Sequence, residues 1–169
     1  NQTNPNTNTS GGVTEFDGIA NPVVALQGSG TADAPYLALY MDASGRSDIR
    51  VQANLRDIDG STDDAAQQIA VQYRTSPNGP WLNAPGGYFA DVTTGGAATQ
   101  ITAVDITLPA DANGAATLEV RFLTTNASGN DEWVGIDDIV VSSQQSGPIL
   151  AIGNTAVFEG DAGTTPITF

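Results

Sequence analysis

Short stretches in which apolar and polar residues alternate run along most of this chain. The clearest covers residues 48–56, DIRVQANLR, in which every second side chain is apolar. A period of two predicts a β-strand with one buried and one solvated face. The same spacing predicts four further strands, around the apolar sets Leu37, Leu39 and Met41; Ile69, Val71 and Tyr73; Val104, Ile106 and Leu108; and Leu118, Val120 and Phe122.

Turn-forming residues separate these strands. Gly, Pro, Asn, Asp and Ser cluster between the predicted strands, and the clusters fall at residues 43–45, 59–61, 77–80, 85–87, 111–114 and 128–130. Such residues supply the backbone conformations that turns require. No apolar stripe with helical spacing runs longer than two turns. Between residues 13 and 143 the sequence therefore predicts an all-β fold of two packed antiparallel sheets, a jelly roll or β-sandwich.

The two ends of the chain differ from this middle part. Residues 1–12, NQTNPNTNTSGG, have no apolar side chain except one proline and predict an extended polar arm or linker. A second linker is predicted at 144–148, and extra terminal strand segments at 149–169. Because an open sheet edge accepts another strand, we expect residues 149–169 or 1–14 to pair with a neighbouring copy of the chain. The alternative is that both ends are plain linkers within a larger protein.

The amino-acid composition excludes several classes of catalytic and metal site. The 169 residues include 19 Asp and Glu against 5 arginines, giving a net charge of −14, and there is no His, Lys or Cys. This excludes His- and Cys-based catalysis and ordinary zinc, copper or haem sites. The net negative charge argues against nucleic-acid binding. The sequence has no apolar run of 18 residues, so it does not predict insertion into a membrane. Paired carboxylates could form a glycosidase site, but nothing singles out one pair. We therefore expect no enzyme activity.

One segment near the end of the predicted sandwich is distinctive. Residues 131–141, DEWVGIDDIVV, resemble the last core strand of jelly-roll modules in large secreted bacterial proteins, among them MAM-like and carbohydrate-binding modules. Segments similar to residues 55–61 and 124–133 also occur in such modules. The resemblance implies an accessory module, located outside the cell or on its surface, beside nuclease, phosphoesterase or adhesin-like domains.

The end of the chain carries a separate resemblance. Residues 156–169, AVFEGDAGTTPITF, resemble the opening of a Calx-β domain. Calx-β domains are Ca²⁺-binding or adhesive immunoglobulin-like sandwiches, which usually occur in tandem. About 20 residues cannot close such a core by themselves. The resemblance implies that neighbouring domains of the same protein, or copies of the chain, are its partners.

Clustered carboxylates indicate candidate calcium ligands. Residues 57–64, DIDGSTDD, place the oxygen donors Asp57, Asp59 and Asp63 at intervals along a turn. Ca²⁺ takes six to eight oxygen ligands, and it would relieve the mutual repulsion of so many acids. The alternative is a solvated hairpin loop in which Asp and Gly only supply turn geometry.

Asp137 and Asp138 form a second candidate. Successive strand residues point to opposite faces, so one of the two is expected to point toward the core, where a carboxylate needs a partner or a metal. The jelly-roll resemblance implies a structural Ca²⁺ here, with Glu15 and Asp17 from the first strand as further ligands. The alternative is an ion pair with one of the arginines Arg50, Arg56, Arg74 or Arg121.

Aromatic residues provide the candidate ligand-binding surface. Trp133 lies within a predicted strand and is expected in the core. Trp81 follows a turn, and Tyr88 and Phe89 follow Gly86-Gly87. We expect these three residues to form an exposed patch on which a sugar could stack.

Two functions follow from these observations. The first is a non-catalytic structural or adhesive module, stabilised by Ca²⁺, that assembles in a cell-surface protein or filament by strand donation. The alternative is a carbohydrate-binding accessory module of a secreted hydrolase or nuclease, with a glycan as its partner.

Overall fold

The computed structural model describes residues 2–62, 65–129 and 131–147. It confirms the predicted all-β class: the chain forms two antiparallel sheets packed face to face in a jelly-roll sandwich. The nine strands are β1 (Gly12–Phe16), β2 (Val23–Gln27), β3 (Tyr36–Met41), β4 (Arg46–Asp57), β5 (Ile69–Arg74), β6 (Leu82–Phe89), β7 (Ile101–Thr107), β8 (Leu118–Thr124) and β9 (Val134–Gln145). None of the helical segments in the described ranges has the length or apolar character to cross a membrane.

The strand order mixes distant parts of the sequence. One sheet has five strands in the order β1-β2-β9-β4-β7, and the other has four in the order β3-β8-β5-β6. The longest pairing joins β4 to β9, from Arg46 opposite Gln145 to Asp57 opposite Val134. Strand β9 therefore continues through residues 144 and 145, where the sequence predicted the start of a linker.

The main core lies between the two sheets and is formed by the apolar residues of the alternating pattern. On β8, Leu118, Val120 and Phe122 are fully buried. They meet inward-facing residues of β4 such as Val51 and Leu55, which are also fully buried. The opposite side chains of the same strands form the two outer faces of the sandwich.

A second apolar cluster lies on the outer face of the five-stranded sheet. Leu26 on β2 points into the main core, so its neighbour Ala25 points outward. Around Ala25 lie Phe16 and Trp133, whose rings meet edge to face with centroids 5.1 Å apart. Both aromatic side chains have no exposed surface. The prediction that Trp133 is a core residue is confirmed.

The polar N-terminal arm packs beside this second cluster. The backbone N–H of Gln2 donates to the carbonyl of Glu15 at 2.8 Å, and Gln2 forms a parallel bridge with Phe16. Pro5, in a short 3-10 turn, is buried. The side-chain oxygen of Asn6 accepts from Gly60 N–H at 3.0 Å. The arm thus lies against its own domain rather than extending from it. The predicted terminal strand segments at 149–169 lie outside the described residues, and strand exchange with another copy stays a prediction.

Three irregularities shape the sheets. In the β4·β9 pair, one bulge lies at Asp48 and another at Asp138, and both residues have φ of 51°. The third lies in β6, where residues 84–87 together oppose only Val71 of β5. Pro85-Gly86-Gly87 was predicted as a turn, but it lies inside a strand as a bulge, with Gly86 at φ 74°.

Candidate functional site

The outer face of the four-stranded sheet carries three rows of side chains, each running across the strands. The first row runs from Tyr36 on β3 through Leu123 and Ala70 to Tyr88 on β6, as the pairing register fixes. Residues opposite each other in a sheet project from the same face. Two tyrosines from opposite edges therefore share one surface.

The second row is a chain of hydrogen bonds. Arg121 on β8 lies opposite Gln72 on β5, and its Nε and Nη2 donate to Gln72 Oε1 at 2.9 and 2.6 Å. The side-chain amide of Gln72 donates in turn to Asn83 Oδ1 at 2.8 Å on β6. Three strands are thereby linked by polar side chains at the centre of the face.

The third row adds an ion pair and another aromatic residue. Tyr40 on β3 lies opposite Glu119 on β8, which lies opposite Arg74 on β5. Arg74 donates through Nε and Nη2 to Glu119 Oε2 at 3.0 and 2.7 Å. The ring of Trp81 lies 4.5 Å from the Arg74 guanidinium and 4.1 Å from that of Arg121. Trp81 therefore covers part of this face.

We call Tyr36, Tyr40, Trp81 and Tyr88 the aromatic platform. Tyr40 and Tyr88 are 71% and 63% exposed, and Tyr36 is 45% exposed. The Tyr88 hydroxyl is oriented by donating to Gln68 Oε1 at 2.8 Å. The four strands span roughly 14 Å, and Tyr36 and Tyr40 are roughly 13 Å apart along β3, at standard sheet spacings. The platform is therefore broad and open.

The structure separates the three predicted ligand-binding residues. Trp81 and Tyr88 lie on the aromatic platform, whereas Phe89 points to the opposite side of β6 and packs against the main core. Alternation along the strand accounts for the difference between the two neighbours. The sequence did not single out Tyr36 and Tyr40, because their meeting with Tyr88 depends on strand order, which alternation does not reveal.

Among the predicted calcium ligands, Asp57 at the end of β4 and Asp59 in the loop that follows are both buried. Asp57 accepts from the Asp59 N–H at 3.1 Å through Oδ1 and from the Thr94 N–H at 2.8 Å through Oδ2. Asp59 accepts from the Ser61 N–H at 3.1 Å. Burial raises the pKa of Asp57 to about 6, and the two hydrogen bonds from Thr94 and Asp59 partly offset that rise. Asp63 lies outside the described residues.

The second predicted group is held by protein partners. Asp137 Oδ2 accepts from Arg56 Nη1 at 2.8 Å and from Asn21 Nδ2 at 2.9 Å. Asp138 accepts from Asn54 Nδ2 at 2.8 Å. The expectation that one aspartate points to the core was wrong, because the bulge at Asp138 interrupts alternation. Asp137 is only partly exposed, Asp138 is exposed, and each bonds an outward-facing side chain of β4.

The remaining predicted ligands, Glu15 and Asp17, are exposed on and just after β1. Within residues 2–62, 65–129 and 131–147, no three acidic side chains come close enough to share a metal ion. Asp137 forms an ion pair with Arg56, which was the alternative to a metal ion at this position. Calcium binding by this set of residues remains a prediction.

Comparison with known proteins gives similarity at the level of the backbone. No protein-family description and no curated protein matches the sequence. Among solved structures, a carbohydrate-binding module, CBM28, described as specific for non-crystalline cellulose, is similar with a TM-score of 0.46 and 12% identity over 76% of this chain and 79% of that one. A CBM4 structure is similar with a TM-score of 0.42 and 18% identity over 79% of each chain. Neither similarity is high enough to carry binding properties over to this chain.

Proposed function

We propose that this chain is a non-catalytic carbohydrate-binding module that holds a polysaccharide on the aromatic platform. The observation that carries the proposal is the arrangement of the four-stranded sheet's outer face. Exposed aromatic rings stand at its edges, and a ladder of hydrogen-bonding side chains lies between them. Such a surface offers apolar contact area and hydrogen-bonding groups, the two kinds of contact that a sugar requires.

The chemistry of sugars matches these two kinds of contact. A pyranose ring presents C–H groups on its faces and hydroxyl groups around its rim. Flat aromatic side chains such as Tyr40 and Trp81 provide apolar area at a small cost in side-chain entropy. The amides of Gln72 and Asn83 provide donors and acceptors for hydroxyl groups. These amides are already oriented by their mutual hydrogen bond, so less order is lost on binding.

The shape of the face favours a polymer over a free sugar. Small-molecule sites are normally concave and cover most of their ligand. Here Tyr36 and Tyr88 stand at opposite edges of an open sheet face, roughly 14 Å apart by strand spacing. An open face makes contact with one side of an extended chain, and several weak contacts along that chain add together.

A protein partner is the competing occupant of the same face. Tyr, Trp and Arg are also enriched at protein interfaces. The centre of such an interface is usually its most apolar part. In this chain the middle row of the face holds Arg121, Gln72 and Asn83, and the exposed tyrosines stand on the two edge strands. This arrangement favours a hydroxyl-rich ligand.

The test is binding of the purified protein to soluble polysaccharides, measured by affinity electrophoresis and titration calorimetry. We expect Trp81→Ala and Tyr88→Ala each to weaken binding about tenfold or more, the loss that removing a main aromatic contact causes. Val140→Thr is the matched control, since Val140 is 52% exposed on the other sheet. Thermal midpoints of all variants establish that they fold.

Two outcomes would contradict the proposal. One is that no polysaccharide in a broad panel binds, or that both aromatic variants bind as well as the native chain. The other is a dimer in size-exclusion chromatography that Trp81→Ala dissociates while no glycan binds. That result would assign the face to protein association instead.

A further inference from the structure

Resting on the proposed function, we infer that the aromatic platform selects acidic polysaccharides, with the guanidinium of Arg121 receiving the carboxylate of a uronic acid unit. The inference begins from the positions of the few positive charges. Three of the five arginines pair with carboxylates: Arg50 with Asp105, Arg56 with Asp137, and Arg74 with Glu119.

Arg121 has different surroundings. Among the described residues it makes no ion pair, and its polar partner is the neutral amide oxygen of Gln72. Its guanidinium lies 4.1 Å from the ring centre of Trp81 and 5.1 Å from that of Tyr36. Arg46 also makes no ion pair within the described ranges, but it lies exposed at the start of β4, on the other sheet. Arg121 is therefore the cation available to a ligand of the platform.

The hydrogen-bonding capacity of Arg121 is only partly used. A guanidinium carries five N–H donors in a fixed planar fork. One on Nε and one on Nη2 serve Gln72, and the described residues offer no acceptor to the others. The N–H groups lie in the plane of the guanidinium, so an anion that accepts from them approaches along its edge. A planar carboxylate fits that edge with two parallel hydrogen bonds.

The local charge also favours an anion. Arg74 lies against the same Trp81 ring and, like Arg121, projects from the outer face, while Glu119 is the single acid between them. Two cations and one acid leave this group with a net positive charge. Burial lowers the pKa of Arg121, and the neighbouring Arg74 lowers it further against the opposing effect of Tyr36. A bound carboxylate would act against both causes, because its negative charge stabilises the charged guanidinium and so raises the pKa.

The protein's net charge of −14 acts in the opposite direction. At physiological ionic strength, charges more than about 8 Å apart are largely screened. The arginines at the contact therefore outweigh distant acids for a bound carboxylate, whereas the distant acids slow its approach.

The experiment compares polyuronates with their own methyl esters, which keep the sugar rings and lose the charge. Polygalacturonate, alginate and hyaluronan are titrated into the full chain without calcium, beside the esters and dextran sulfate. We expect the acidic forms to bind about tenfold more tightly than the esters, as one charged bidentate pair provides. The preference should shrink as salt is raised.

Variants separate this inference from the proposed function. Arg121→Gln should bind acid and ester equally, whereas the control Arg50→Gln on the other sheet should keep the preference. Equal binding of acid and ester by the native chain would overturn the inference and leave carbohydrate binding standing. Dextran sulfate binding as tightly as the polyuronates would overturn the assignment to carboxylate. No binding to any glycan would overturn both proposals. If Arg121→Gln fails to fold, equal binding of acid and ester by the native chain, or a preference for the acid that raised salt leaves unchanged, would still overturn the inference.

Discussion

The indole N–H of Trp133 donates a hydrogen bond to the backbone carbonyl of Asn8 across 2.7 Å. The bond joins the residue just before β9 to the N-terminal arm, 125 residues away in sequence. Because Trp133 is fully buried beside Phe16, its polar nitrogen needs this partner. The arm therefore completes the second apolar cluster.

Removing residues 2–8 should destabilise the sandwich. The deletion takes away the acceptor for the Trp133 N–H and the cover over its cluster, and an unsatisfied buried donor alone costs about 1–3 kcal/mol. Urea unfolding measures the loss, and Trp133 fluorescence should shift to longer wavelength as water reaches the ring. Substituting exposed Thr9 and Ser10 by alanine is the control. Unchanged stability after the deletion would show that the arm contributes nothing.

Arg74→Met should destabilise the protein by about 2 kcal/mol or more. The change leaves Glu119, which is 2% exposed, without its cation in a poorly solvated place. Arg50→Met is the matched control: its pair with Asp105 is about half exposed, so we expect little change in the free energy of unfolding. Urea denaturation of both variants tests the contrast. Equal losses would mean that burial of Glu119 does not matter.

Asp57 should make stability depend on pH. Its pKa is raised from 3.8 to about 6 in the folded protein, so the folded state holds a proton more tightly than the unfolded chain does. The stabilising contribution of this group is complete below about pH 4 and is lost as pH rises through about 6. Relative to the native chain, Asp57→Asn should therefore gain thermal stability between pH 4 and pH 7.

Asp42→Asn gives a control of opposite sign. Hydrogen bonds from the Ser44 hydroxyl and N–H lower the pKa of the exposed Asp42 carboxyl. Its contribution is present above the unfolded value of 3.8 and is lost as pH falls. Parallel curves of thermal midpoint against pH for native chain and Asp57→Asn would rule out the raised pKa.

The calcium prediction is tested by chelation. If the predicted acidic residues hold a structural ion, EDTA should lower the thermal midpoint, and added Ca²⁺ should restore it in proportion to site occupancy. Asp137→Asn should remove that response if this residue is a ligand. An identical thermal midpoint with and without chelator would contradict a structural ion. The role of Asp137 would then be to accept hydrogen bonds from Arg56 and Asn21.

The strands could be predicted from sequence wherever side chains alternate cleanly. Residues 48–56 fall within β4, and the apolar sets of β3, β5 and β8 all face the main core. Strand β6 was missed because Pro85 and two glycines resemble a turn. Its pairing to β5 comes from contacts distant in sequence, which override local preference.

The candidate site was only partly predictable. Trp81 and Tyr88 could be named from their position after turns, but their neighbours Tyr36 and Arg121 depend on which strands pair. The prediction that Asp137 or Asp138 points toward the core was wrong, because a bulge changes which face a residue occupies. Strand pairing and bulges are set by tertiary contacts, so the alternation of apolar and polar residues does not predict them.

The bulge in β6 has a consequence for self-assembly. Strand β6 forms one border of the four-stranded sheet, and Pro85 lacks the N–H that a new strand would need. The border at β1 is partly occupied by Gln2 of the same chain. Of the four sheet borders, those formed by β3 and β7 would therefore accept an added strand more readily than those formed by β1 and β6.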